Sequence, residues 1–353
     1  MNKIEATGYD ILFGLEGYDV LGAYLNEKAY TNIIILTDSN CNELCMPHFL
    51  AHLPTDVPFE IIEIEAGEAY KDLETCAGVL QSMTELGADR NSIVLTLGGG
   101  VVSDLGGFVA SVYMRGIDCI YVPTSLLAMV DASVGGKTGV DLGGIKNIVG
   151  TFAMPKMVVI DTTYLETLNA REIKAGYAEM LKHGLIYDRS YFNHLQDIAQ
   201  IDFSDLETLV YHSIVIKNEI VKADPKENGQ RKVLNFGHTV GHAIESYFLE
   251  LHPENTLLHG EAVAFGMVIE AYLSMQFAQM PIEEYENIRD TISNIYGELQ
   301  LTENMVLDIV EWMRFDKKNA KGEIRMVLLP SIGEAIYDVT VSKELIVKGF
   351  GIE

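Results

Sequence analysis

The stretch Ile93-Val94-Leu95-Thr96-Leu97-Gly98-Gly99-Gly100-Val101-Val102-Ser103-Asp104-Leu105-Gly106-Gly107-Phe108-Val109-Ala110 decides the fold. A short β-prone apolar run leads into a glycine turn, and an apolar helical run follows. Glycines there let the backbone approach a pyrophosphate closely, and the helix start adds free N–H groups and a favourable dipole. The pattern departs from G-x-G-x-x-G, and its bland alternative is a tight turn with no ligand.

Working outward, Ile33 to Asp38, Ile61 to Ile64, Ile117 to Val122 and Met157 to Ile160 read as further strands. Helical stretches separate them, which predicts parallel βαβ units. Asp38 ends one strand, where its carboxylate could bond a ribose hydroxyl, and Gly67-Glu68-Ala69-Tyr70-Lys71 follows another. Near residue 165 the character changes. Helical periodicity then covers Arg171 to Ile186, Leu206 to Asp224, Val233 to Phe248, Glu261 to Met280 and Ile282 to Gly297. The polar run Asp316-Lys317-Lys318-Asn319 precedes Ile324 to Leu329, which reads as a strand or hairpin arm. The expected layout is an α/β half followed by a mostly helical half.

The 353 residues are 48% apolar, enough for one large core or two medium ones. Lys and Arg number 25 against 51 Asp and Glu, a net charge of -26 that disfavours nucleic acid and anionic membranes as partners. Anionic ligands then need a pocket where the few cations converge. Cys41 and Cys45 have neither zinc-ribbon nor redox Cys-x-x-Cys spacing, and with Cys76 and Cys119 they read as reduced thiols. No stretch reads as a signal peptide or membrane span, so the expected location is cytoplasmic.

His238 and His242, in Asn235-Phe236-Gly237-His238-Thr239-Val240-Gly241-His242, share one face of a helix, and His259 follows on a separate segment. Neutral imidazoles suit divalent zinc, although this spacing also serves packing and hydrogen bonding. No His-Glu-x-x-His pattern points to a metalloprotease. Glu179, Lys182 and His183 fall at i, i+3 and i+4, so Glu179 could supply an oxygen ligand; the plainer reading is an intrahelical ion pair. Gly135-Gly136-Lys137-Thr138 looks like a truncated P-loop, but Asp131 stands where the first glycine belongs. Lys137 and Lys146 suit an anionic ligand.

These residues together resemble the 3-dehydroquinate synthase family. The resemblance rests on Leu97 to Asp104, Tyr113-Met114-Arg115-Gly116, Val122 to Asp131, Gly135 to Val140, Ala178-Glu179 with Lys182, Leu234 to His242, His259 to Ala264 and Asp316 to Asn319. It covers nearly the whole chain in order. It implies a Rossmann-like NAD-binding domain over residues 1–165 and a mostly helical metal- and substrate-binding domain over 166–353. The implied reaction converts 3-deoxy-D-arabino-heptulosonate 7-phosphate into 3-dehydroquinate through transient oxidation by NAD, phosphate elimination, return of hydride and intramolecular aldol closure.

By the same resemblance, Glu179, His238 and His259 hold a divalent metal, zinc or cobalt, and His242 turns to the substrate. NAD lies along Asp38, Glu68, Lys71, Gly99, Gly100, Val101, Asp104, Thr124, Ser125, Lys137, Lys146, Tyr164, Leu165, Glu166 and Thr167. The sugar-phosphate substrate meets Asp131, Lys137, Asn147, Lys182, Lys217, Arg231, Asn235 and His242, with Arg115 reaching across a homodimer and one of Lys317 and Lys318 joining them. Asp141 to Ile145 departs from the family's Asn-His-Pro-Leu-Gly stretch, and Phe248 to Leu258 is longer than in many members. Sister sugar-phosphate cyclases, which make cyclitols, share the cofactor motifs; Arg231 with Asn235 favours a substrate bearing a carboxylate. A polyol dehydrogenase, which would accumulate NADH, needs no such set of cations.

Overall fold

The computed structural model describes residues 3–143, 145–201, 203–313 and 324–352. Two compact units divide it, Met1–Asn169 and Ala170–Glu353. The first is built on a sheet of seven strands: β1 (Lys3–Glu5), β2 (Asp10–Phe13), β3 (Ile33–Asp38), β4 (Phe59–Ile64), β5 (Ile93–Gly98), β6 (Asp118–Pro123) and β9 (Met157–Ile160). Their order is β1-β2-β9-β6-β5-β3-β4, and only the β1–β2 pairing is antiparallel. Every residue of β5 is buried, as an apolar strand covered on both faces by crossover helices must be. The chain leaves β3 toward the edge strand β4 and leaves β5 toward β6. Direction therefore reverses between β3 and β5, the place where open parallel sheets leave a ligand crevice at their carboxyl ends.

The helix Gly100–Val112 follows β5 directly. It presses hard on the sheet. A Cβ on Gly106 would sit 2.4 Å from Thr96 Cγ2, and one on Gly107 would sit 2.1 Å from Tyr121 Oη. A two-stranded hairpin, β7 (Lys137–Leu142) and β8 (Ile145–Phe152), packs against the same helix, where Thr151 Oγ1 donates to Ser111 Oγ at 2.9 Å. Gly135-Gly136-Lys137-Thr138 thus opens a strand and not a helix, which removes the P-loop reading. Leu142 pairs with Ile145, so within the stretch that departs from the family pattern these two residues belong to the two strands of the hairpin.

The second unit is mostly helical. The helices that matter for the site are Ala170–Tyr187, Phe203–Ala223, His238–Leu251 and His259–Phe277. A hairpin of β10 (Ile324–Ser331) and β11 (Glu334–Val341) closes the core with Ile324, Met326 and Leu328. The helix expected over Val233 to Phe248 is two pieces. A short 3-10 turn, Gln230–Asn235, ends at Phe236, and Gly237 at φ 78° turns the chain before His238 starts the next helix. Left-handed backbone cannot continue a helix, so periodicity ran across a real break. The run Asp316 to Asn319, with Lys317 and Lys318, lies outside the described residues. Among the described residues no helix is long and apolar enough to cross a membrane.

Candidate active site

In the second unit three helices bring the metal-ligand candidates together because small residues let their backbones touch. On His259–Phe277, a Cβ at Gly260 would lie 1.9 Å from Ala175 O on the helix of Glu179, and one at Gly266 would lie 2.0 Å from Gly237 O beside His238. His259 begins its helix, and Glu261 fixes that start by accepting from Leu258 N at 2.8 Å and from Arg171 through two nitrogens.

Glu179, Lys182 and His183 share a face of Ala170–Tyr187, and all three are buried. Lys182 Nζ donates to Glu179 Oε2. The other oxygen, Oε1, is buried and has no hydrogen-bond partner among the described residues. Facing it are His238 Nε2 at 3.6 Å and His259 Nε2 at 3.8 Å. These separations are too long for hydrogen bonds. They approach the roughly 3.4 Å between tetrahedral ligands that each stand about 2.1 Å from one ion.

The far nitrogens support this arrangement. His238 Nδ1 lies 3.1 Å from Phe236 O and His259 Nδ1 3.2 Å from Glu245 Oε2, so each Nδ1 carries a proton, and the neutral form of each ring has its Nε2 lone pair free for an ion beside Glu179. A buried carboxylate oxygen without a donor is costly, and a cation between it and two imidazoles removes that cost. The residues present therefore fit a divalent metal such as zinc. His242 meets the His238 ring edge-on and the His259 ring at a tilt, with ring centroids 5.2 and 5.6 Å away. The three imidazoles also offer ligand atoms within 4.8 Å of one another, so geometry alone leaves His242 open to either role. The lone carboxylate oxygen is the stronger argument for the set with Glu179.

Beside the metal-ligand helices, Asp224 organises the loop before Arg231. Its carboxylate accepts from Asn228 N, Gly229 N and Arg231 N at 3.1, 2.6 and 3.2 Å. Desolvation pushes its pKa up, but the three N–H bonds and the Arg231 charge hold it below the ordinary carboxylate value. Arg231 is buried and donates from Nη1 to Pro225 O, while Asn235 Nδ2 donates to Glu227 Oε1 at 2.7 Å. Lys217 is buried as well, so Lys182, Lys217 and Arg231 are interior cations.

In the first unit Asp38, Gly99, Gly100, Val101, Asp104, Thr124 and Ser125 lie at or just after the carboxyl ends of β3, β5 and β6, while Glu68 and Lys71 follow β4, Lys137 and Lys146 lie on the β7–β8 hairpin, and Tyr164 to Thr167 follow β9. Gly99 precedes the helix Gly100–Val112, and no side chain caps that helix start. Uncapped N–H groups at a parallel-sheet switch point fit a pyrophosphate. Asp38 ends β3 and caps the next helix through Cys41 N at 2.8 Å. Thr124 N donates to Gly98 O, and Ser125 Oγ would be 3.3 Å from a Cβ on Gly99. Val101 occupies the first turn of that helix.

Lys71 Nζ lies 2.7 Å from Glu68, 3.7 Å from Asp104 and 3.9 Å from Asp141, and Lys146 Nζ lies 3.2 Å from Glu68. Burial favours the neutral Lys71 amine, but these carboxylates raise its pKa overall. Within Tyr164 to Thr167, Tyr164 and Leu165 turn into the core, Tyr164 bonding Tyr18 Oη at 2.6 Å, while Glu166 is exposed. In that stretch only backbone groups and the side chains of Glu166 and Thr167 are left for a ligand.

Asp131 sits in a π-helical turn, Ala128–Ala132, a distortion often found at functional sites. Lys137 begins β7, and Asn147 adopts φ 49° while donating its backbone N–H to Asp141 Oδ1 at 2.7 Å. Arg115, with Met114, has a positive φ on an exposed turn. Two participants had no sequence signal: Glu245, which orients His259, and Glu270, whose carboxylate reaches the start of the His238 helix. Neither belongs to a motif, and both act across a helix–helix contact.

Family models described as 3-dehydroquinate synthase N-terminal and C-terminal match residues 61–175 and 176–319. The chain is 40% identical over 328 residues to the 3-dehydroquinate synthase of Parabacteroides distasonis, with 92% of each chain covered. Among solved structures it resembles a 2-deoxy-scyllo-inosose synthase complexed with carbaglucose-6-phosphate, NAD+ and Co2+, at TM-score 0.86 and 25% identity, covering 98% of both chains. It also resembles the 2-epi-5-epi-valiolone synthase of Streptomyces hygroscopicus subsp. jinggangensis with NAD+ and Zn2+ bound, at TM-score 0.85 and 26% identity, covering 99% of this chain and 98% of that one. The fold is that of the sugar-phosphate cyclases, and with both halves matched in order the chain belongs to the 3-dehydroquinate synthase family.

Proposed function

We infer that the chain is a 3-dehydroquinate synthase, converting 3-deoxy-D-arabino-heptulosonate 7-phosphate into 3-dehydroquinate and phosphate in the shikimate route to aromatic amino acids. The observation that carries this reading, in a chain of that family, is the buried Glu179 Oε1 facing His238 Nε2 at 3.6 Å and His259 Nε2 at 3.8 Å. When bound, NAD accepts and returns one hydride, and the divalent ion polarises the substrate hydroxyl that is oxidised.

The division of labour we propose gives NAD to the first unit and the metal to the second. Asp38, Glu68, Lys71, Gly99, Gly100, Val101, Asp104, Thr124, Ser125, Lys137, Lys146 and the Tyr164 to Thr167 turn would hold the dinucleotide. Glu179, His238 and His259 would hold the ion. Lys182, Lys217 and Arg231 meet the substrate phosphate and carboxylate, and burial strengthens their pull on an anion. Asp131, Lys137, Asn147, Asn235 and His242 orient the substrate hydroxyls, which keeps the chain folded for ring closure. Oxidation makes a ketone that acidifies the neighbouring C–H, and the leaving phosphate itself takes that proton.

Sister cyclases share the fold and both cofactors, but the two solved structures named above are 25 and 26% identical to this chain, against 40% for the 3-dehydroquinate synthase of Parabacteroides distasonis. Arg231 beside Asn235 suits a carboxylate that their sugar phosphates lack. We propose further that the protein works as a cytoplasmic homodimer. Support comes from Val112, Met114, Leu142, Ile145, Ile148 and Phe152, large apolar residues exposed around the strained Arg115 turn and the β7–β8 hairpin.

The deciding assay mixes purified protein with 3-deoxy-D-arabino-heptulosonate 7-phosphate, zinc and substoichiometric NAD. Phosphate and dehydroquinate beyond one equivalent of NAD, abolished by a chelator, are expected. Turnover of glucose 6-phosphate or sedoheptulose 7-phosphate instead would move the protein to the sister cyclases.

A further inference from the structure

The helix that begins at His238 cannot cap itself. Its N-cap is Gly237, which has no side chain and holds φ 78°. No larger residue fits there, because a Cβ would stand 2.4 Å from Met267 Cγ and 2.9 Å from Val263 O. The third helical residue is Val240, so the Glu or Gln that usually completes a capping box is also missing. Both orphan donors of such a box are nevertheless satisfied. Gly237 N donates to Glu270 Oε2 at 2.7 Å, and Val240 N donates to Glu270 Oε1 at 3.2 Å. Glu270 is fully buried on the helix His259–Phe277. One carboxylate from the helix of His259 therefore performs the whole capping box for the helix of His238.

The brace runs in both directions. Glu245, on the helix of His238, bonds His259 Nδ1 at 3.2 Å. Glu270, on the helix of His259, holds the turn from which His238 projects. Two buried carboxylates thus lock the two imidazoles in register while the glycines bring their backbones into contact.

We propose that Glu270 is a positioning residue of the metal centre: it sets where His238 Nε2 stands relative to His259 Nε2 and Glu179. This rests on the metal-ligand reading given above. A negative charge at a helix N-terminus is favourable, and replacement by an amide leaves one backbone N–H facing an NH2 group.

The test compares wild-type protein, Glu270→Gln and Glu270→Asp for Co2+ affinity by chelator competition and for the visible Co2+ absorption spectrum. NAD+ affinity and the thermal midpoint of the metal-free protein serve as controls. The expected result for Glu270→Gln is Co2+ binding weaker by about 10- to 100-fold with an altered spectrum, and unchanged NAD+ affinity. Should Glu270→Gln not fold, Glu270→Asp, which keeps the charge but withdraws it by one methylene, is expected to weaken Co2+ binding in the same way. Wild-type affinity and spectrum in the folded variant would overturn the inference. A loss of Co2+ affinity matched by equal losses in metal-free stability and NAD+ affinity would also overturn it, because Glu270 would then be a structural cap only. If the wild-type chain itself binds no Co2+, the metal reading falls and this inference with it; tight binding by wild type and variant alike removes this inference alone.

Discussion

At Glu179 one carboxylate does two different things. Oε2 takes a proton donor from Lys182, and Oε1 is left for something that is not a donor among the described residues. Glu179→Gln would put an amide where a cation's counter-charge belongs, and Zn2+ affinity is expected to fall by about 100-fold or more, read by chelator competition. Asp224 shows the same logic on a loop, where three backbone N–H groups favour its ionised form. A carboxyl whose pKa is lowered by folding contributes stability above its unfolded pKa of about 3.9 and loses it as pH falls through the folded value. Asp224→Asn is therefore expected to be destabilised fully at pH 7, with the deficit shrinking below about pH 3.9, measured by urea unfolding at a series of pH values. The residue types at these positions were legible in the chain. Which oxygen is left open was not, since that depends on which helix packs where.

Between elements, glycine has two opposite uses. Gly260 allows the helix His259–Phe277 to touch the helix of Glu179, and an added Cβ would meet backbone that no rotamer change can move. Gly260→Ala is expected to destabilise the protein by about 3 kcal/mol or more and to weaken metal binding with it, seen in denaturant melts with and without Zn2+. Gly78 lies in the helix Leu73–Glu85, and a methyl added there would meet nothing within 4 Å. Gly78→Ala is expected to stabilise by about 0.5–1 kcal/mol in the same melts. Periodicity alone cannot separate these cases, because it records which face is apolar and not how near the neighbouring backbone comes. The same blindness joined Val233 to Phe248 into one helix, where Gly237 breaks it and lets Glu270 cap the second piece.

For the whole molecule, the net charge and the exposed apolar side chains of the β7–β8 hairpin, Phe152 among them, pull in different directions: a charge of -26 keeps copies apart, and burial of those side chains would hold two together. Sedimentation is expected to give twice 39.1 kDa, and Phe152→Asp to give a monomer with lowered turnover. The sequence by itself determined the α/β-then-helical layout, the glycine turn after β5, the pair of histidines on one helix face and the family. Each of those is written in local chemistry: strand and helix periods, turn glycines, motif spacing. Only the tertiary structure decided that Glu179 Oε1 faces two imidazoles, that Tyr164 and Leu165 turn inward, and that Glu245 and Glu270 brace the ligand helices. Those facts join residues far apart in the chain, and their energy comes from burial and hydrogen bonds that exist only once helices have packed.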